Sequence, residues 1–342
     1  MPAITFKPKQ VVKRLLAPLS PRALDVMTKR YGLGDSTDRM TLEGIGKTYG
    51  ITRERVRQIE NFALGSIKKS DAFKKEESIF DELNEIVVSM GGVVCEEDFL
   101  MHISKDESIQ NYLFFLLVLG DQFKREKEDE HFHHRWIVDD KVSMKVHDAI
   151  RELYKTLSHE DLVPESEIVA SFLEHLKDVS EEYKNEEITK RWLALSKTIA
   201  KNPLGEWGVA ESHNVNARGM RDYAYLIIRK HGSPMHFTEV AKSITQVFGK
   251  KAHVATCHNE LIKDNRFVLV GRGLYALSTW GYEKGVVKDV IAKILKNEGP
   301  LSKKDIIDRV LKERHVKENT VFVNLQDPKM FKRTKEGKYA LA

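Results

Sequence analysis

The sequence has 342 residues, enough for two or three domains, and its 56 lysines and arginines outnumber 51 aspartates and glutamates to give a net charge of +5. The longest apolar run, YLFFLLVLG at residues 112–120, is too short to span a bilayer. The first residues lack the apolar stretch of a secretory signal, so we predict a cytoplasmic protein without a membrane partner.

Positive charge is concentrated in the first part of the chain. Residues 1–75 hold 16 Lys and Arg against 7 Asp and Glu, a net charge of +9, which leaves −4 for the remainder. A basic head on a mildly acidic body predicts that nucleic acid binds mainly at residues 1–75. The body suits protein partners, or DNA contacts made by local basic patches.

Two amphipathic helices are predicted within residues 41–67. The first is marked by apolar residues at helical spacing, namely Leu42, Ile45 and Tyr49. Thr41 is its predicted N-cap. Gly50 lies where a turn needs a residue of positive φ, and Thr52 caps the second helix.

The second helix, which begins at Arg53, has one apolar and one charged face. At about 100° per residue, its apolar stripe consists of Val56, Ile59, Ala63 and Ile67. Its solvent-facing side consists of Arg53, Glu54, Arg57, Gln58 and Asn61. Such a helix, placed after a short glycine turn, indicates a helix-turn-helix that reads DNA.

Arginine and glutamine are side chains that reach guanine and adenine edges in the major groove. The predicted base-reading residues are Arg53, Glu54, Arg57 and Gln58. The alternative is a solvated helix in an ordinary helical bundle, which is the usual meaning of a run of charge.

Residues 20–69 resemble region four of the bacterial primary-type sigma factors. The resemblance rests on SPRALDVMTKRYGLGD (20–35) and TLEGIGKTYGITRERVRQIENFAL (41–64). It implies base contacts to the promoter minus-thirty-five element, made by Arg53, Glu54 and Gln58. It also implies phosphate contacts, made by Thr41, Leu42, Glu43, Thr52, Arg55 and Arg57. That family grips the flap of core RNA polymerase with this domain, so the polymerase core is an implied partner.

The chain departs from that family in two respects. Asn61-Phe62 and Gly65-Ser66 stand where the family usually has a basic tail on the recognition helix. The chain also lacks an aromatic-rich region of the kind that melts a minus-ten element. The sequence therefore predicts a sigma-like DNA reader that does not open a promoter alone.

An internal repeat occupies the C-terminal part of the chain. Residues 225–277 and 290–341 share an apolar helix, a glycine-proline break, two further helical stretches and two strands around a glycine turn. This order predicts a winged helix. Residues 81–138 and 143–212 repeat it more loosely, and the alternative for them is an ordinary helical spacer.

Residues 218–282 further resemble the HARE-HTH domain, which occurs in the delta subunit of bacterial RNA polymerase and in DNA-modification and chromatin proteins. The resemblance rests on GSPMHFTEVAKSI and FVLVGRGLYALSTWGY. Winged helices bind either DNA or protein, and wing cations hold phosphates without reading sequence. The possible wing contacts are Arg272, Lys332, Arg333 and Lys335.

These patterns together predict a mainly α fold, in which a sigma-region-four helix-turn-helix head is followed by tandem winged-helix-like units with small β-hairpin wings. The head is predicted at residues 1–75. The four units are predicted at residues 76–142, 143–214, 215–283 and 284–342.

The sequence contains no pattern typical of a catalytic, nucleotide-binding or metal site. A Walker loop, a G-x-G-x-x-G motif and a G-x-S-x-G elbow are absent. The HFHH stretch at residues 131–134 has no further Cys or His at ligand spacing. We therefore predict no cofactor, no bound metal, no small-molecule substrate and no enzymatic activity.

The predicted function is sequence-specific recognition of promoter-type double-stranded DNA, combined with association with the RNA polymerase core. Three alternatives stay open. They are a nucleoid or DNA-modification/defence adaptor that binds DNA without polymerase, an enzyme such as a nuclease subunit, and a polymerase-binding competitor that reads no bases.

Overall fold

The computed structural model describes residues 4–176, 183, 185–282 and 285–342. It is mainly helical with short antiparallel strands and begins with a helix-turn-helix, which confirms the predicted fold class. The chain forms two compact units, Met1–Ala200 with Trp207–Ala210, and Lys201–Glu206 with Glu211–Ala342. No helix of the described residues is both long and apolar enough to cross a membrane.

The first unit begins with a group of helices whose starts are set locally. They are α1 (Pro8–Leu16), α2 (Pro21–Tyr31), α3 (Leu42–Tyr49), α4 (Arg53–Lys68) and α5 (Asp71–Lys75). Hydroxyl oxygens cap all but the first, since each accepts a backbone N–H three residues ahead; they belong to Ser20, Thr41, Thr52 and Ser70. Such caps satisfy a donor that the first helical turn leaves free.

After α5, one order of elements occurs twice: a helix, a short extended segment, two helices and two strands. We name these stretches module A (residues 77–137) and module B (residues 140–176 and 185–209). Module A consists of α6 (Glu77–Ser89), β1 (Val93–Cys95), α7 (Glu96–Ile103), α8 (Glu107–Leu119), β2 (Lys124–Glu126) and β3 (Arg135–Ile137). Module B consists of α9 (Asp140–Thr156), α10 (Glu165–His175), α11 (Glu186–Leu193), β4 (Ile199–Lys201) and β5 (Trp207–Val209).

The second unit contains the same order twice more, in module C (residues 220–277) and module D (residues 287–341). Module C consists of α12 (Met220–His231), β6 (Met235–His236), α13 (Phe237–Phe248), α14 (Val254–Lys263), β7 (Phe267–Gly271) and β8 (Leu274–Leu277). Module D consists of α15 (Val287–Glu298), α16 (Lys303–Glu313), α17 (Glu318–Leu325), β9 (Phe331–Arg333) and β10 (Tyr339–Leu341). This arrangement has the order of elements that the C-terminal repeat predicts.

In every module the last strand is the central one. Strand β3 lies between β1 and β2, and β8 lies between β6 and β7. Val163 and Leu301 replace the first strand in modules B and D, each through two backbone hydrogen bonds of 2.8–3.1 Å to the last strand. An aromatic residue therefore recurs opposite the first strand, at Trp136, Trp207, Tyr275 and Tyr339. Helices followed by this small sheet give each module a winged-helix-like topology.

The head and module A share one hydrophobic core. Val11 of α1 and Met27 of α2 belong to the same buried cluster as Phe115 of α8 and Trp136 of β3. The rings of Tyr31 and Phe115 meet edge to face, with their centroids 5.0 Å apart. The core thus continues past residue 75. The five-domain division stays a prediction, and residues 177–182, 184 and 283–284 of the predicted units lie outside the described residues.

Helix α8 also fixes the segment that joins α2 to α3. The buried Asn111 donates from Nδ2 to the carbonyl oxygens of Gly32 at 3.1 Å and Thr37 at 2.7 Å. Its Oδ1 accepts a hydrogen bond from Arg39 Nε at 2.6 Å. One amide thereby satisfies two backbone carbonyls that the segment cannot pair internally. The entry to α3 is consequently held by module A.

Candidate nucleic-acid interface

A three-residue turn joins α3 to α4. Helix α3 ends at Tyr49 and is capped by Gly50, whose φ is +64°, and the Ile51 N–H donates to the Gly46 carbonyl oxygen at 3.0 Å. Thr52 Oγ1 accepts from the Arg55 N–H at 3.2 Å. The turn glycine and the N-cap that the sequence predicts are confirmed. Together they fix where the second helix starts, and hence which of its side chains lie in its first turn.

The apolar stripe of α4 is buried at three of its four predicted positions, which are Val56, Ala63 and Ile67. Ile59 is only half-buried. Val56 packs in one cluster with Val26 of α2 and Ile45 of α3. This small core holds α3 and α4 together and leaves the opposite side of α4 free for a ligand.

Gly46 and Gly50 serve the turn for different reasons, and substitutions should separate them. A Cβ on Gly46 would lie 2.6 Å from the Ile51 carbonyl oxygen, so Gly46→Ala is expected to cost about 1–3 kcal/mol. A Cβ on Gly50 meets nothing within 4 Å, and only its φ opposes Gly50→Ala, by about 1–2 kcal/mol. Denaturant unfolding of the full chain, with hydrogen exchange in α3 and α4, measures both changes.

The control for these variants is Gly65→Ala in α4. Gly65 has open space around its Cα, so this change should stabilise the helix by about 0.5–1 kcal/mol. Equal stability of the Gly46→Ala and Gly65→Ala proteins would contradict the close packing of α3 against the turn.

The side chains predicted to read bases are all exposed, namely Arg53, Glu54, Arg57 and Gln58. The residues predicted to bind phosphates are exposed as well, namely Thr41, Glu43, Thr52 and Arg55. Leu42 is the exception, because its side chain packs against the cluster between α3 and α4. As the first residue of α3, it can still offer its backbone N–H, which has no intrahelical acceptor.

The two sets of residues share one surface. Glu43 and Lys47 of α3 line the same shallow concavity as Thr52, Arg53 and Arg55. The start of α4 therefore faces the same side as α3, as a helix-turn-helix on a duplex requires. Lys47 is exposed and forms an ion pair with Glu43 at 2.9 Å. Sequence reasoning did not select Lys47, although a lysine is a better phosphate ligand than the carboxylate of Glu43.

Three of the four base-reading side chains already have a hydrogen-bond partner in the free protein. Arg57 donates two hydrogen bonds to the Glu54 carboxylate, at 2.7 and 2.8 Å, and these lower the pKa of Glu54. Arg55 donates to Gln58 Oε1 at 2.9 Å. The Arg53 side chain makes no hydrogen bond or ion pair within the described ranges, although its charge acts on Glu54. A ligand can engage Arg53 directly, whereas Gln58 must first exchange its contact with Arg55.

A buried carboxylate fixes the orientation of α4. Glu60 is 8% exposed, and its Oε1 accepts from Arg30 Nε at 3.1 Å and from the Tyr31 hydroxyl at 2.9 Å. Burial, together with the neighbouring Glu60, raises the pKa of Tyr31. Arg30 also donates to the Met40 carbonyl oxygen at 3.1 Å, just before α3. Sequence reasoning missed Glu60, although a helical wheel places it beside the apolar stripe.

The possible wing contacts lie on modules C and D, in the second unit. Arg272 is exposed at the turn between β7 and β8. Lys332 and Arg333 are exposed on β9, and Lys335 is exposed in the turn before β10. Their positions on wings agree with the predicted hairpins, while their contact with phosphates stays a prediction.

The described residues contain no group of three or more His, Cys, Asp or Glu side chains that could hold a metal ion. His131 and His133 of the HFHH stretch lie in the segment before β3. His134 Nδ1 instead accepts a hydrogen bond from the Glu128 N–H at 2.9 Å.

Residues 15–69, which include α2, α3 and α4, match the family model described as Sigma-70, region 4. The chain is 41% identical over 66 residues to the RNA polymerase principal sigma factor HrdD of Streptomyces coelicolor, which is 19% of this chain and 20% of that protein. It is 40% identical over 73 residues to the RNA polymerase sigma factor SigA of Clostridium acetobutylicum, 21% of this chain and 19% of the relative.

A third relative is the RNA polymerase sigma factor SigA of Nostoc sp., 45% identical over 60 residues, which are 18% of this chain and 15% of that protein. The chain thus spans about a fifth or less of the length of these relatives. The likeness of the head to sigma region four is confirmed. The likeness of residues 218–282 to the HARE-HTH domain stays a prediction.

Proposed function

We propose that this chain is a non-catalytic, sequence-specific DNA-binding transcription factor that recognises promoter-type duplex DNA and associates with the RNA polymerase core. The observation that supports it most directly is the exposed first turn and a half of α4, which carries Arg53, Glu54, Arg57 and Gln58. These side chains belong to the residues that match sigma region four.

Base recognition would come from the start of α4 in the major groove. Arg53 is free to pair with guanine O6 and N7, and Gln58 with adenine N6 and N7. Glu54 is an exposed carboxylate, held by two hydrogen bonds from Arg57, and its oxygens can accept from the cytosine amino group. Each good contact discriminates against the wrong base by about 1–3 kcal/mol.

Phosphate contacts would position this helix. Thr41, the Leu42 N–H and Lys47 lie on α3, while Thr52 and Arg55 lie at the start of α4. Contacts from the starts of two helices on one duplex fix register, and the electrostatic share of the binding makes it depend on salt. Arg57 can contact either a base or a phosphate, because it follows Arg53 by one helical turn.

Association with the polymerase core rests on the resemblance to sigma region four. The relatives that match the head are named RNA polymerase sigma factors. Co-purification of the full chain with core polymerase separates this proposal from an adaptor that binds DNA without polymerase. Failure to co-purify would remove the polymerase part and leave the DNA part untouched.

The main test of base recognition is an Arg53→Ala/Gln58→Ala variant of the full chain. The wild type should prefer a duplex with a minus-thirty-five-like element over a scrambled duplex, and the variant should lose at least about 30-fold of that preference, since two base contacts are removed. Titrations of both duplexes over a salt series measure the preference and the salt slope together. The salt slope should change by no more than about 1, because only one cation is removed.

A Lys9→Ala/Gln10→Ala variant is the matched control. Both residues are exposed on α1, and the change removes the same charge and one glutamine. This control should keep the preference of the wild type. Equal binding of both duplexes by the wild type would show that α4 is a docking surface or a general phosphate clamp.

A further inference from the structure

The modules differ in how the cations of their wings are paired. In module A, ion pairs join Lys124 to Asp140 at 2.6 Å, Arg125 to Glu96 at 2.6 Å, and Arg135 to Glu126 at 2.6 Å. Arg135, on the central strand β3, is also buried, at 5% exposure. Three of the four cations of this wing are therefore paired with carboxylates, and the fourth, Lys127, is exposed between Glu126 and Glu128.

Module D has the opposite arrangement. Lys332, Arg333 and Lys335 are exposed, and within the described residues none of them forms an ion pair. Arg333 only donates from Nε to the Gly337 carbonyl oxygen of its own hairpin, at 3.3 Å. Three unpaired cations thus stand on one short hairpin, whose one carboxylate, Glu336, is paired with Lys338 at 3.7 Å.

The sequence around the wing of module D is also positively charged. Residues 285–342 hold 14 Lys and Arg against 8 Asp and Glu, a net charge of +6. Residues 76–284 consequently have a net charge of −10. The body of the chain is not evenly acidic: a strongly acidic middle separates the basic head from a basic C-terminal module. A local excess of this size attracts a polyanion.

The elements next to the wing suit a duplex. The pairing of Leu301 with Tyr339 places the start of α16 beside the wing. Lys303 of α16 lies with its Nζ 3.6 Å from the ring centroid of Phe322 in α17. The exposed side chains of α17 after its first residue are uncharged, namely Asn319, Thr320 and Val323. Apart from Glu318, the exposed side of this helix carries no charge that would repel a phosphate backbone, and Lys303 lies beside it.

We propose that the wing of module D is a second DNA-binding surface, on which Lys332, Arg333 and Lys335 bind the phosphates of duplex DNA without reading its sequence. The choice of DNA over other polyanions rests on the proposed function of the head. The head supplies the sequence preference, and the wing adds affinity, because a second site on the same chain acts at a raised effective concentration.

The test is the binding of the full chain to a scrambled duplex several helical turns long, over a salt series. A Lys332→Ala/Arg333→Ala/Lys335→Ala variant should bind at least about tenfold more weakly at low salt, and its salt slope should be shallower by about 3, one for each phosphate that the wing no longer binds. The matched control, Lys293→Ala/Lys296→Ala/Lys312→Ala, removes the same charge from α15 and α16 of the same module and should change the slope by less than 1.

The salt slope and the preference for the minus-thirty-five-like element test the two proposals separately. A shallower slope with the preference ratio unchanged supports the wing as a second site. If the slope is shallower but the wild type shows no preference for the minus-thirty-five-like element, only the function proposed for the head is contradicted. An unchanged slope, or an equal change in the control variant, would overturn the proposal for the wing. A parallel titration with anionic lipid vesicles tests for another polyanion: the proposal is also overturned if the triple variant loses vesicle binding but binds the duplex as the wild type does.

Discussion

A fragment that ends at residue 75 is expected to show no cooperative unfolding, whereas a fragment of residues 1–210 is expected to unfold cooperatively. Helices α1 and α2 pack on α8, and the shorter fragment removes α8 from that core. Val11, Leu15, Met27 and Tyr31 are each at most 5% exposed in the chain and would lose this cover. Exposing a buried side chain of this size costs about 1.5–3 kcal/mol.

Full exposure of four such side chains would cost at most about 6–12 kcal/mol, less what α2 keeps by packing on α4, and this is comparable to the whole stability of an ordinary domain. The segment before α3 would also lose Asn111, the partner of the Gly32 and Thr37 carbonyls. Far-UV circular dichroism during thermal and denaturant unfolding measures the difference between the fragments. Cooperative unfolding of the shorter fragment would mean that the head has a sufficient core of its own.

Much of the helix-turn-helix could be predicted because its signals are local. Thr41 and Thr52 cap the helices next to them, and Gly50 takes up the left-handed conformation that a turn after a helix requires. The apolar stripe of α4 follows from helical periodicity alone. None of these signals needs knowledge of a distant part of the chain.

The shared core could not be predicted in the same way, since it joins residues about a hundred positions apart. The apolar run at residues 112–120 is too short for a membrane span, but its composition also indicates how the helix packs. Helix α8 is buried over nearly its whole circumference because α1 and α2 cover one side and the rest of module A covers the other. A helix that is apolar all round is a buried helix, so the run itself indicated further packing partners.

The loosest repeats were hard to predict for a different reason. In modules B and D a single residue, Val163 or Leu301, does the work of a strand by pairing with the last strand. One residue leaves no alternating pattern in the sequence. The charges of the wings carried no clear signal either. Modules A and D both have lysine and arginine there, and only the contacts distinguish paired cations from free ones.

Glu60→Ala is expected to lower the free energy of unfolding of the first unit by about 3 kcal/mol and to weaken the DNA preference. The change leaves the buried Tyr31 hydroxyl without an acceptor and removes the carboxylate partner of Arg30. Breaking a buried charged pair costs about 3–5 kcal/mol, and the lower end applies because the Arg30 side chain is 35% exposed. Unfolding of the 1–210 fragment in denaturant measures the stability, and titration of the full chain with duplex measures the preference.

A double-mutant cycle with Tyr31→Phe shows whether this cost comes from the hydrogen bond to Tyr31. Tyr31→Phe should cost about 1 kcal/mol in the wild type and nearly nothing beside Glu60→Ala, because the hydroxyl then has no acceptor to lose. If the stability costs of the two single changes add in the double variant, the effect of Glu60→Ala comes from the lost ion pair with Arg30 and not from Tyr31. The pH provides an independent check: the raised pKa of Tyr31 means that its neutral form stabilises the fold up to about pH 10. The wild type should therefore lose more stability than the Tyr31→Phe protein as the pH rises above about 10, since only the wild type loses this donor.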